Sequence, residues 1–300
     1  MSACGSEISN PYDYTNTDFI YGYDGHDFFA SNKCVSSDLN YGQEKTTAFV
    51  AEGAGAFNLD TKEVVYSQNI YDKLYPASTT KILTAYIIIR YCNTSDMVTV
   101  SNNAVNPGES SSVCGLKEGD VISVEELLYG LMLESGNDAA IALAEYYSGS
   151  VEAFAEVMNE EARKMGCTNS HFVNPSGFPN DDHYTTVYDM YLIFSNAVSL
   201  EKFVTIISTK EYQAVYTSAS GKEVKNDFGN TCGYLTGAYT APENVTVIGG
   251  KTGTTNAAGY CLCLYSQNER GERIISIVFK ADGKSNLYLL MNEILVGFAN

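Results

Sequence analysis

The sequence predicts an α+β fold: an antiparallel sheet flanked by helices, with an all-helical subdomain inserted at about residues 90–200. Three observations carry this expectation. A hairpin pattern comes first, "GAGAFNL" and "EVVYSQ" around the turn "DTK". A long stretch of helical periodicity comes next. From about Tyr212 the hydrophobic period drops to two, and the chain then closes on a helical segment, Leu287 to Ala299. Strands and helices grouped in blocks argue against alternating βαβ units.

Each element has a local cause. In "YPASTTKILTAY" the proline suits the first turn of a helix, and Ile82, Leu83, Ala85, Tyr86, Ile87 and Ile89 can bury the turns behind it. "SVEELLYGLMLES" gathers Leu127, Leu128, Leu131 and Met132 on one side, and Ser123 with Glu126 resembles a capping box. "DAAIALAEYYSG" reads as a buried helix ended by Gly149. Ser150 to Met165 is a third helix, stopped at Gly166. "NPSGFPNDDHYTT" is a loop, and Thr186 with Asp189 caps the next helix. "EYQAVYTSAS" and "GKEVKND" form a hairpin. "TVIGGKTGT", "GYCLCLYSQ" and "RIISIVFKA" come after it as strands. No internal repeat is present.

Composition narrows the function classes. The chain has 300 residues, 45% hydrophobic and 18% charged, a globular composition with a sizeable core. Its formal net charge of -18 argues against a nucleic-acid partner, since phosphate binding needs a basic face. An anionic membrane surface would also repel it unless a covalent anchor holds it there. No apolar run is long enough to span a bilayer. The eight cysteines include no C-x-x-C pair, and only three histidines accompany them. Zinc-ligand spacing is absent, and no metal or cofactor is expected. Cys261 and Cys263 share one face of a strand and read as buried thiols.

Residues 1–45 read as a tether or surface-wrapping arm, and 46–300 as one folded domain. "SACG", Ser2 to Gly5, resembles the end of a bacterial lipoprotein signal, in which Cys4 would carry lipid. An accidental tetrapeptide is the equal alternative.

Three short motifs carry the chemistry by order and context. Ser78-x-x-Lys81 opens a buried helix. Ser135-Gly136-Asn137 sits in a turn between two helices. Lys251-Thr252-Gly253 lies on a strand after the pattern has returned to sheet. Singly these are weak: Ser199 to Lys202 also matches S-x-x-K, and Ser101 and Ser266 begin S-x-N matches. Alone, Ser135 and Asn137 would read as helix caps and Lys251 as a solvated strand lysine.

Taken together, from about Ala54 onward, the chain resembles the serine penicillin-binding proteins, specifically the D-alanyl-D-alanine carboxypeptidases, relatives of class A β-lactamases. "LLYGLMLESGNDAA", "NPSGF", "HYTTVYDM" and "GGKTGTTNAAGY" belong to the likeness. It implies a β-lactamase/DD-peptidase-like fold, with residues 46–300 as the catalytic domain.

A serine hydroxyl needs a neighbouring base, and an amine serves only when neutral. Burial disfavours the ammonium, and a second cation, Lys251, disfavours it further. Lys81 is thus the expected base for Ser78. The resemblance implies the remaining roles. Ser135 relays a proton to the leaving amine, and Asn137 binds the substrate amide. Lys251 and Thr252, in the motif completed by Gly253, hold the terminal carboxylate. The backbone N–H groups of Ser78 and Thr254 form an oxyanion hole.

The implied activity is removal of the terminal D-alanine from peptidoglycan stem peptides through an acyl-serine, inhibited covalently by β-lactams. The implied place is extracytoplasmic, in the cell envelope. The alternatives are a β-lactamase, which needs a loop glutamate in an E-x-x-L-N setting, and a non-catalytic β-lactam sensor. No E-x-x-L-N segment occurs between Ser135 and Lys251. The sequence departs from the family pattern in three ways. Glu134 stands where relatives often have a small residue or proline. No C-terminal β-rich domain is expected after the catalytic one. The further cation relatives use for carboxylate binding has only a loose candidate, Lys284.

Overall fold

The computed structural model describes residue 30 and residues 32–48 and 50–297. Cys4 and most of the N-terminal arm lie outside the described residues. The described residues from Cys34 onward form one compact unit.

Five strands make the main sheet: β1 (Ala51–Asn58), β2 (Val64–Gln68), β7 (Val245–Thr255), β8 (Gly259–Asn268) and β9 (Arg273–Ala281). Their order is β2-β1-β9-β8-β7, and every pairing is antiparallel. Alternation along β8 explains why the sheet is covered on both faces. Cys261 and Cys263 enter one apolar cluster with Phe57, Ile277 and Phe279, while Leu262 and Leu264 enter the other with Leu290 and Met291.

The helices are α1 (Lys81–Tyr91), α2 (Val124–Met132), α3 (Asn137–Ser148), α4 (Val151–Lys164), α5 (Val187–Ala197), α6 (Glu201–Ser208), α7 (Gly233–Thr236) and α8 (Lys284–Val296). α8 covers one face of the sheet. α1 and α5 lie in the cluster on the other. Their ends obey the local signals. Ser123 and Glu126 complete a capping box, and Gly149 ends α3 at φ 80°. Ser150 caps α4 and Thr186 caps α5. Among the described residues no single helix is long and apolar enough to cross a membrane.

The segment expected to be all-helical also contains strands β3 (Met97–Thr99) and β4 (Val121–Ser123). They join β5 (Glu211–Thr217) and β6 (Glu223–Gly229) in a second sheet, ordered β3-β4-β5-β6. Three-residue strands are too short to show a period of two, so only their pairing reveals them.

Two features of this frame place the site. β7 is an edge strand, paired only with β8 among the described residues. Its register sets Lys251 opposite Cys263 and Gly253 opposite Cys261, which turns Lys251 and Gly253 toward the helices.

Candidate active site

Ser78 lies in a 3-10 turn, Ala77–Thr80, that runs directly into α1. The turn is entered through Ala77 at φ 48°, a conformation costly for any residue with a Cβ and one that recurs at functional sites. Gly177 is pressed against it: a Cβ there would stand 1.8 Å from the Ala77 carbonyl oxygen. Gly253 approaches from β7, where a Cβ would lie 2.9 Å from the Ser78 nitrogen. The strand and the serine turn therefore touch at the backbone, and only glycine permits it.

Lys81 is fully buried beneath this turn. Its Nζ is 3.0 Å from Ser78 Oγ, 2.7 Å from Asn137 Oδ1 and 2.9 Å from the Ser176 carbonyl oxygen. The two carbonyl oxygens can only accept hydrogen bonds. A neutral amine has two N–H groups for them and one lone pair, which is left facing the Ser78 hydroxyl. Burial, reinforced by the Lys251 charge, holds the Lys81 ammonium well below the ordinary lysine range.

Lys251 is also buried, and its Nζ donates to the Thr252 carbonyl at 3.0 Å. Burial pulls its pKa down to about 7. The Thr252 hydroxyl shares a 2.7 Å hydrogen bond with that of Thr231. Thr254 is exposed at the end of β7.

Ser135 adopts φ 60° and is buried, and its Oγ has no hydrogen-bond partner among the described residues. Buried hydroxyls are normally satisfied, so this one calls for a partner from outside. Asn137 starts α3. Its side-chain amide donates to Ser111 Oγ at 3.1 Å and its backbone N–H to the Ser112 carbonyl at 2.8 Å. Asp138 anchors the same helix start by accepting the backbone N–H groups of Cys114, Gly115 and Leu116.

Several of these groups were not anticipated from sequence. The Ser176 carbonyl is aimed by Asn174, whose Oδ1 accepts the backbone N–H groups of Ser176, Gly177 and Phe178. Thr84 fixes the same loop through the Pro175 carbonyl at 2.7 Å. His183 Nδ1 accepts from the Val173 N–H at 3.2 Å, so its Nε2 carries the proton and donates to Thr80 Oγ1 at 2.9 Å. Burial pushes the His183 imidazole down to about 3, so it is a neutral strut. The only sequence signals for these groups were the turn-forming "NPSG" and the quoted "HYTT".

Glu134 binds neither lysine. Its Oε1 accepts the Gly229 N–H at 2.5 Å and so clasps the end of β6. Lys284 stands exposed at the first residue of α8. Ser199 to Lys202 is structural: Lys202 pairs with Glu125 at 2.6 Å. No group of three His, Cys, Asp or Glu side chains among the described residues is placed to hold a metal ion.

Comparison with known proteins decides the family. The D-alanyl-D-alanine carboxypeptidase family matches residues 42–283. The chain belongs to that family. It is 34% identical over 240 residues to the D-alanyl-D-alanine carboxypeptidase DacF of Bacillus subtilis, covering 78% of this chain and 58% of that protein. It is 33% identical to the D-alanyl-D-alanine carboxypeptidase of Streptomyces sp. K15, covering 76% and 80%. The crystal structure of the Streptomyces K15 DD-transpeptidase, at 31% identity, superposes with a TM-score of 0.76 and covers 85% of this chain and 99% of that one. The chain thus spans little more than half the length of the DacF relative, while matching nearly all of the K15 fold.

Proposed function

We propose that the protein is a serine-type D-alanyl-D-alanine carboxypeptidase acting on peptidoglycan stem peptides. The observation that carries this reading is the hydrogen-bond arrangement of Lys81. Two carbonyl acceptors occupy its N–H groups and leave its lone pair for Ser78. Ser78 Oγ attacks the carbonyl of the penultimate D-alanine while its proton passes to Lys81. The developing oxyanion is held by the backbone N–H groups of Ser78 and Thr254, a contribution of about 2–4 kcal/mol per donor. Lys251 and Thr252 hold the terminal carboxylate, and Asn137 binds the substrate amide. The unpartnered Ser135 hydroxyl lies two residues from Asn137 and carries a proton to the departing nitrogen. Water then hydrolyses the acyl-serine.

The same groups accept a β-lactam, which also offers an amide carbonyl beside a carboxylate. A β-lactamase reading needs a carboxylate base for deacylation. The α4 glutamates do not supply one at the site. Glu161, for instance, is bonded to Tyr91, at the end of α1 roughly 15 Å along the axis from Lys81.

D-alanine release from an acetylated L-Lys-D-Ala-D-Ala peptide tests the reading. Release by the wild type and none by Ser78→Ala is expected. Equal release by both removes Ser78 as nucleophile.

We also infer an extracytoplasmic place at the cell envelope, with lipid on Cys4 holding an acidic protein to the membrane. Support is the Ser2–Gly5 tetrapeptide and the cell-wall substrate. Two acyl chains would be needed for stable attachment. Membrane fractionation of the precursor should lose the protein on Cys4→Ser. An unchanged distribution refutes the anchor.

A further inference from the structure

The cleft at Ser78 continues well past the reacting centre. It holds about 520 Å³, walled by Thr254–Ala257 at the end of β7, by Ser176–Pro179 and by Glu109–Ser112. Lys251 and Thr252, which take the leaving group's carboxylate, do not line it. A peptide added along the free edge of β7, with its terminal carboxylate at Lys251, runs toward Thr255 and Ala257. The cleft is therefore the acyl-donor side, and the residue before the D-alanine pair stands in it.

Among the described residues its lining includes a single charged side chain, Glu109. Among the described residues nothing hydrogen-bonds or ion-pairs with that carboxylate. The loop that carries it is nevertheless held in place. Ser111 Oγ and the Ser112 carbonyl both bind Asn137. Gly108, at φ 104°, packs on the Phe178 ring, where a Cβ would meet Cζ at 2.9 Å. Ser110 holds φ 60°. Phe178 stands 37% exposed on the facing wall, beside Pro179. An anionic group and an apolar wall facing one cleft suit a side chain with an aliphatic stem and a cationic head.

We propose that Glu109 selects acyl donors whose residue before the D-alanine pair carries a free side-chain ammonium, with Phe178 and Pro179 covering its methylenes. The proposal rests on the carboxypeptidase reading above. Two peptides test it, acetyl-L-Lys-D-Ala-D-Ala with the Lys amine free or Nε-acetylated, measured as kcat/KM for D-alanine release. Wild type should prefer the free amine about fivefold, the ratio that roughly 1 kcal/mol for a partly exposed ion pair corresponds to. Glu109→Gln should bring the ratio to about one while leaving the rate on the acetylated peptide unchanged, which also shows that the variant folds. Glu109→Lys should favour the acetylated peptide. D-alanine release with no preference in wild type, or a preference that survives Glu109→Gln, overturns the proposal alone. No release from either peptide by wild type overturns the carboxypeptidase reading and the proposal with it.

Discussion

Lys251→Met exchanges a buried ammonium for a thioether of similar length, and it should separate stability from activity. Lys251 is 1% exposed, and burial moves its pKa from 10.5 to about 7. At 1.36 kcal/mol per unit, that gap corresponds to at most about 5 kcal/mol for keeping the charge in the fold. Relaxation of the surroundings reduces it, so the methionine variant should be more stable by about 2–3 kcal/mol at neutral pH. The sign comes from proton binding. The folded-state pKa lies below the unfolded value, so between about pH 7 and 10.5 the unfolded chain binds more protons. Wild-type stability therefore rises with pH through that window and gains nothing from this group below it. Lys81 shifts in the same direction and adds a slope of the same sign to both proteins. The advantage of the variant should be largest at and below neutrality and shrink toward pH 10. Urea unfolding at three pH values reads it, and fluorescent-penicillin labelling should slow by about 10² or more in the same samples. A variant less stable than wild type at neutral pH, or an advantage that does not change with pH, would refute the desolvation argument.

Gly177→Ala places a Cβ 1.8 Å from the Ala77 carbonyl at φ 79°, so the serine turn must shift. A loss of about 3 kcal/mol or more in thermal unfolding, with penicillin labelling abolished, is expected. Asn174→Ala leaves the Ser176 and Gly177 backbone N–H groups without their acceptor, removes one of the two acceptors of the Phe178 N–H, and frees the Ser176 carbonyl that binds Lys81. It should cost about 1–3 kcal/mol and lower kcat more than it changes KM, as steady-state D-alanine release would show.

Much of the site was legible because its three motifs sit at element boundaries that hydrophobic period also marks. Ser78 comes just after a helix-starting proline, and Lys251 falls where the pattern returns to sheet. The Ser123 and Thr186 caps were legible for the same reason, since a cap is a local hydrogen bond between near neighbours. Other parts could not be read because they are backbone groups or distant pairings. The Ser176 and Ser112 carbonyls carry no residue identity, and the left-handed Ala77 has no composition signal. Strands β3 and β4 exist only through pairing with each other and β5. Glu134 adjoins Ser135 in the sequence, which says nothing of what its carboxylate binds. Its partner, the Gly229 N–H, is 95 residues away in sequence.

The central claim is that Ser78 forms an acyl-enzyme, which water clears after peptide attack but not after β-lactam attack. D-alanine leaves the site and admits water. The opened ring keeps its nitrogen tethered, and among the described residues no carboxylate hydrogen-bonds to Ser78 or Lys81 to activate a water against that obstruction. Time-resolved intact-mass spectrometry with D-Ala-D-Ala peptide or excess benzylpenicillin tests this directly. The account predicts repeated D-alanine release without adduct build-up, against a Ser78 penicilloyl adduct lasting many minutes. That difference is a deacylation barrier higher by several kcal/mol, at about 1.4 kcal/mol per power of ten. An adduct that clears within seconds with continuous penicillin hydrolysis would contradict it.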